Sequence, residues 1–189
     1  MAAKKTATKT VKKPNATKPL TAKAVAPKTP RAPGEARHWL VKTEPDVFSF
    51  DDMMKAKNRT TFWDGVRNYQ ARNTLRDEMK LGDLVIVYHS NAEPPGAVGI
   101  AKVVREGYPD PTQFDSKHDH FDPDADPAEP RWFMVDLQAV EPFARLVSLP
   151  ELREQKALSS MVLLQKGSRL SVQPVRGAEF EMIRKMGGR

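Results

Sequence analysis

Between Trp63 and Asn73 the chain places two large aromatics, two arginines, two asparagines and a glutamine in eleven residues, Trp63-Asp64-Gly65-Val66-Arg67-Asn68-Tyr69-Gln70-Ala71-Arg72-Asn73. Only Val66 and Ala71 in that run are available for a core. Flat rings beside amides and guanidiniums suit a planar, polar ligand such as a nucleobase, because rings stack on its faces and amides match the groups on its edge. The run therefore reads as the lining of a base-binding pocket that takes Trp63, Val66, Asn68, Tyr69 and Gln70.

Two other clusters offer groups to the same ligand. Thr43 has a hydroxyl, and Glu44 an acceptor for an exocyclic amine. Tyr88-His89-Ser90-Asn91 puts four polar tips where an apolar run ends, and the first three join the pocket set. Lys42, Arg67, Arg72, Arg131 and Arg169 are candidates for the phosphate backbone. Each choice has a plainer alternative. Trp63 could be a packing tryptophan and Tyr88 a core residue. Ser90 and Asn91 could be turn formers. Glu44 could pair with Arg67 or Arg72, and exposed arginines are often simply solvated.

A different chemistry is suggested by His118-Asp119-His120 with Asp115, Asp122, Asp124 and Asp126 nearby. Asp122-Pro123-Asp124-Ala125-Asp126 begins like a calcium loop, but Pro127 stands where glycine is required and Phe133 where the closing glutamate belongs. Two histidines alone do not complete a zinc site. The segment is expected to be a solvated acidic loop, and no metal or cofactor is assigned. No Gly-x-Ser-x-Gly elbow is present, nor a zinc-deaminase signature with its cysteines. The chain is read as non-enzymatic.

The elements that must position these groups follow from periodicity and punctuation. His38–Thr43 alternates as a strand that Pro45 stops. Ser49 with Asp52 is a weak capping box for a short helix. Asp64-Gly65 is a turn, and a helix is expected from about Asn68 to Met79, with Ala71, Leu75 and Met79 on one face and Gly82 at its end. Leu84–Tyr88 is a strand buried on both faces, and Pro94-Pro95-Gly96 turns into a second strand, Ala97–Val104, with bulk excluded at Gly99 and Ala101. Residues 109–130 form a long Pro- and Asp-rich loop. Trp132–Val140 is a strand, Ser148-Leu149-Pro150-Glu151 a helix start, Arg169–Gln173 a short strand and Ala178–Met186 a final helix. Strands and helices without βαβ alternation predict an α+β fold, a small bent barrel or sheet flanked by helices. No Gly-rich phosphate loop supports a doubly wound nucleotide fold.

Charge divides the chain. Residues 1–37 carry ten Lys and Arg against Glu35 alone, whereas the whole chain has 31 Lys and Arg against 24 Asp and Glu. The basic character thus belongs to the first 37 residues, and residues 38–189 are slightly acidic. An Ala/Lys/Thr/Pro segment with so few aliphatics is expected to be a disordered tail drawn to a polyanion by counterion release. The alternative is a solubilising extension. No stretch has the length and apolarity to span a bilayer, and nothing resembles a signal h-region or an Arg-rich transit peptide. The absence of cysteine excludes disulfides and thiolate chemistry and fits a reducing interior.

Several blocks, in this order, resemble the EVE domain, a member of the PUA-like superfamily related to the YTH readers of methylated RNA. They are His38-Trp39-Leu40-Val41-Lys42-Thr43-Glu44-Pro45, the Trp63–Asn73 run, Tyr88-His89-Ser90-Asn91 and Pro94-Pro95-Gly96, followed by Tyr108–Phe114, Pro130–Asp136 and Gly167–Pro174. The resemblance covers 38–186 and excludes the tail. It implies a PUA-like barrel with a pocket for a modified base, modified cytosine in DNA above others. In the YTH relatives a tryptophan after the first helix walls the methyl-base cage, and Trp63 occupies the matching place. Thr43, where serine is as common, keeps the hydroxyl but adds a methyl that could narrow the pocket.

The expected function is a reader that engulfs a modified base of DNA while the tail holds the backbone. A reader of modified RNA, a metal-dependent enzyme using the Asp/His loop and a DNA-coating protein that binds through its tail are the alternatives. A partner nuclease or modification enzyme is a further expectation. The location would be nucleoid or cytoplasm in a bacterium and nucleus in a eukaryote.

Overall fold

The computed structural model describes residues 31, 32 and 35–188. Most of the tail expected over 1–37 lies outside them. Arg37 is nonetheless tied to the fold, its N–H donating to Asp83 Oδ1 at 2.9 Å and its carbonyl accepting from Leu84 N.

Six strands form one mixed sheet in the order β2-β5-β4-β3-β1-β6. They are β1 (His38–Thr43), β2 (Thr60–Trp63), β3 (Leu84–His89), β4 (Gly96–Pro109), β5 (Phe133–Ser148) and β6 (Val172–Val175). Only β1 and β3 run parallel, with Thr43 opposite His89, and the other pairs are antiparallel. The helices are α1 (Phe50–Lys55), α2 (Tyr69–Asn73), α3 (Leu149–Glu154) and α4 (Gly177–Met186).

Strand alternation sends successive side chains to opposite faces, so each face builds its own core. One cluster takes Trp39 and Val41 from β1, Trp63 from β2, Val85 and Val87 from β3, Ala101 and Val103 from β4, Val135 and Leu137 from β5, and Val172 from β6. All six strands, both edges included, meet in that cluster, so the sheet curls around it. The α+β expectation holds. Phe50 and Met53 of α1 and Ala71 of α2, with Leu75 and Met79, close this inner core. The outer face carries Leu40, Ile86, Ile100, Val147 and Val175 and is covered by Leu152 of α3, Phe180 and Ile183 of α4, and the turns holding Leu158, Met161 and Leu163.

The expected capping box of Ser49 with Asp52 forms, and at the expected helix start Ser148 caps α3 in a second box with Glu151. Gly99 is needed where it lies, since a Cβ there would meet three Phe50 ring atoms at 2.5–2.8 Å. Other boundaries differ from the sequence expectation. Thr60–Trp63 is a strand, not merely a lead into the turn, because β5 offers it a pairing edge. The helix expected from Asn68 to Met79 divides into α2 and a π-type turn, Thr74–Glu78. β4 runs to Pro109 rather than Val104. β5 continues past Val140 to Ser148, because a register shift there lets Pro142 sit opposite Gly99 without breaking the pair. The last short strand is Val172–Val175 rather than Arg169–Gln173.

Candidate nucleic-acid interface

Trp63 ends β2 and is 7% exposed. Its indole N–H differs from those of the other two tryptophans. Trp39 Nε1 donates to Asp83 Oδ2 at 2.8 Å and Trp132 Nε1 to Asp122 Oδ2 at 2.6 Å. Among the described residues Trp63 Nε1 has no acceptor, and the sealed, unpartnered side-chain atoms are His120 Nδ1 and Gln173 Oε1. The Trp63 N–H is therefore open to solvent at its edge while the ring packs in the inner core.

The segment after Trp63 is clamped from the 109–122 loop. Buried Asp110 accepts from Gly65 N at 3.1 Å and from Arg67 Nη1 at 2.8 Å. Arg67 also donates through Nη2 to Thr112 Oγ1 at 2.9 Å and through Nε to the His120 carbonyl at 2.9 Å. The His120 ring lies against Gly65, whose φ of +70° and missing Cβ both allow the approach. Burial pulls the Asp110 carboxyl upward, but the hydrogen bonds from Arg67, Thr112 and Gly65 outweigh it and hold the group below its usual value. A loop expected to be solvated is thus in part a structural clasp. Gln113 is fully buried and Asp122 pairs with Arg131 at 3.0 Å. Asp110-Pro111-Thr112 carried a signal for this, since Asp110 caps the short turn Pro111–Phe114. Among the described residues no three His, Asp or Glu side chains gather as metal ligands.

The clamp changes what several arginines can do. All of Arg67's N–H groups are spent on Asp110, Thr112, and the Val66 and His120 carbonyls, so it positions the 63–68 segment rather than offering a hand to phosphate. Arg131 is tied to Asp122 and the Asp124 carbonyl. Arg72 donates to Asn73 Oδ1 and the Arg131 carbonyl and lies over the Tyr69 ring at 5.1 Å. Tyr69, 56% exposed, stacks on Trp132 with centroids 5.0 Å apart. Asn68 caps α2, its Oδ1 accepting from Gln70 N and Ala71 N. That leaves only its amide NH₂ for a ligand. Gln70 is exposed and Val66 buried. Arg169 is exposed at the far end of the chain.

The remaining candidates gather at the ends of β1 and β3, but alternation divides them between two faces. Thr43 and His89 lie on the inner side, where Thr43 Oγ1 donates to the Phe48 carbonyl at 2.8 Å and His89 Nε2 accepts from Phe50 N at 3.1 Å. His89 is therefore neutral with its proton on Nδ1. Burial lowers its pKa, against a smaller opposing pull from Asp51. Glu44 accepts from Asn91 Nδ2 at 2.7 Å, and Ser90 N and Oγ both donate to the Thr43 carbonyl.

Lys42 and Tyr88 lie on the outer side, in a cleft of about 500 Å³ shared with Ser90, Asn91, Arg153 of α3 and the 163–168 turn. Burial raises the Tyr88 phenol to about 12, against a smaller pull from Arg153, and keeps it a hydrogen-bond donor. Burial also lowers the Lys42 ammonium. Arg153 and Lys166 carried no sequence signal that would have put them beside Lys42.

The EVE domain family model matches residues 37–186. The chain belongs to the EVE domain family. Thymocyte nuclear protein 1 of Gallus gallus is 45% identical over 163 residues, 77% of this chain and 66% of the relative. The EVE chain thus spans about two thirds of that relative's length. A hypothetical protein of Leishmania major is similar at TM-score 0.76 and 44% identity, over 81% of this chain and 95% of that one. The human THYN1 protein, solved in complex with 5-methylcytosine-containing DNA, is similar at TM-score 0.76 and 42% identity, over 82% of this EVE chain and 99% of that chain.

Proposed function

We propose that this EVE domain is a non-enzymatic reader of DNA containing 5-methylcytosine, which takes the modified base beside Trp63. The observation that carries the reading is the 42% identity, across 99% of its length, to the human protein solved with 5-methylcytosine DNA. The open Trp63 N–H supports the placement, because a donor at the edge of a packed aromatic wall is free to meet an acceptor on a base.

Extruding a base from a duplex costs a few kcal/mol, and the faces of the Trp63 ring are packed in the inner core. Affinity and selectivity therefore come from edge contacts, with the Trp63 N–H, Thr43, Glu44 and Gln70 as the candidates. The methyl group itself adds about 0.8 kcal/mol when buried, which is about a fourfold preference. The ten cations of residues 1–37 add sequence-independent attraction to the backbone. The curated relatives are named as nuclear proteins, which fits a DNA ligand and a nuclear location in a eukaryotic cell.

Fluorescence anisotropy on duplexes that differ only by methylation of one cytosine tests the reading. The methylated duplex is expected to bind several-fold tighter, and Trp63→Phe, which keeps the ring and removes the N–H, to shrink the difference. Equal affinity for both duplexes, or an unchanged ratio in a folded Trp63→Ala protein, overturns it.

A further inference from the structure

The outer cleft has the chemistry of an anion site. Three cations line it, Lys42, Arg153 and Lys166, with no carboxylate among the lining residues. Among the described residues none of the three has an ion-pair partner, whereas Arg67, Arg131, Arg145, Arg176 and Arg184 are all paired. Lys42 is half-buried, so its ammonium has given up part of its water without a protein anion in return. Tyr88 is 3% exposed, and its hydroxyl, which has no protein acceptor among the described residues, is not sealed away from the cleft that it lines. An unpaired lysine and a phenol hydroxyl that faces the cleft without a protein acceptor, with two more cations at the rim, leave a place for one multivalent acceptor.

We propose that this cleft binds a phosphate of the DNA backbone. The commitment to a polymer phosphate rather than a free one rests on the proposed reader function and on position. Lys42 points into the cleft, and its neighbour Thr43 points to the inner face where the rim of the base site lies. One strand step of about 3.3 Å separates the two residues. A nucleotide has its base at one end and its phosphate at the other, so a strand that crosses the ends of β1 and β3 presents both groups to adjacent residues. The phosphate receives Lys42 Nζ and the Tyr88 hydroxyl from the floor and Arg153 and Lys166 from the edge. This site distinguishes no base, and its contribution is affinity and register.

The test uses the full chain and anisotropy against methylated and plain duplexes over a range of salt. Arg153→Gln with Lys166→Gln alters two exposed side chains, and Tyr88→Phe removes only the hydroxyl. Loss of one phosphate contact lowers the slope of log affinity against log salt by about 0.9, which is about eightfold weaker binding at 0.1 M salt. The double variant is expected to show that loss equally on both duplexes, with the methylated-to-plain ratio intact, and Tyr88→Phe a smaller loss in the same direction. Unchanged affinity and slope in the folded double variant overturn the proposal. So does binding of deoxycytidine monophosphate or inorganic phosphate that depends on Arg153 and Lys166 while DNA affinity does not. If the wild-type protein fails to distinguish the two duplexes, the reader function falls, and the salt slope still decides the cleft.

Discussion

Replacing Asp110 by alanine removes the support under the Trp63–Asn68 segment. The carboxylate is buried and takes four hydrogen bonds, from Gly65 N, Arg67 Nη1, Thr112 N and Thr112 Oγ1, at 2.6–3.1 Å. Breaking a buried ion pair by deleting one partner costs about 3–5 kcal/mol, because the other charge is left uncompensated. The Arg67 side chain keeps 21% exposure and its bonds to Thr112 and the His120 carbonyl, so the lower end, about 3 kcal/mol, is expected. For a domain of this size that is about 6–12 °C in Tm.

Urea unfolding and calorimetry measure the loss, and a double-mutant cycle with Arg67→Met assigns it. With the guanidinium gone, deleting Asp110 should cost far less than it does alone. Additive losses would refute the clamp, since two residues that act through each other do not add. The pH dependence has a defined sign. The folded-state pKa of Asp110 is depressed, so its stabilisation is fully present above the unfolded value of about 3.9 and is lost as pH falls through the folded one. Asp110→Asn should flatten this acid limb, which lies below about pH 4, and leave the pH dependence above it unchanged.

Two further substitutions test other parts of the frame. Gly99→Ala forces a methyl into the Phe50 ring and should destabilise by about 1–3 kcal/mol; pairing it with Phe50→Leu should recover part of that in urea melts. Ser148→Ala removes the cap of α3, where Ser148 Oγ accepts from Glu151 N and Glu151 reaches back to Ser148 N at 2.9 Å. About 1 kcal/mol of thermal stability should go with it.

The local elements were legible because local chemistry makes them. Ser49 with Asp52 and Ser148 with Glu151 cap their helices within three residues, and the spacing of Ala71, Leu75 and Met79 puts all three into the inner core. Asn68 was legible as a polar residue before a helix; its amide oxygen caps α2, which leaves the NH₂ for a ligand. Arg67, Arg72 and Arg131 drew attention as cations, yet each is engaged within the protein, Arg67 by Asp110, Arg72 by Asn73 and the Arg131 carbonyl, and Arg131 by Asp122.

What the sequence determined by itself is every strand but β2, the helices, their apolar faces, the concentration of cations before residue 38 and the family pattern. Each is written in residues a few positions apart. Tertiary structure alone decided that Asp110 meets Arg67 across 43 positions, that β2 has an edge to pair with, and that Lys42 and Thr43 serve opposite faces of the sheet. The same holds for the meeting of Arg153 and Lys166 with Lys42. These contacts depend on how the sheet curls and which loops fold back over it, and that geometry is set by packing among distant segments rather than by the preferences of any one of them.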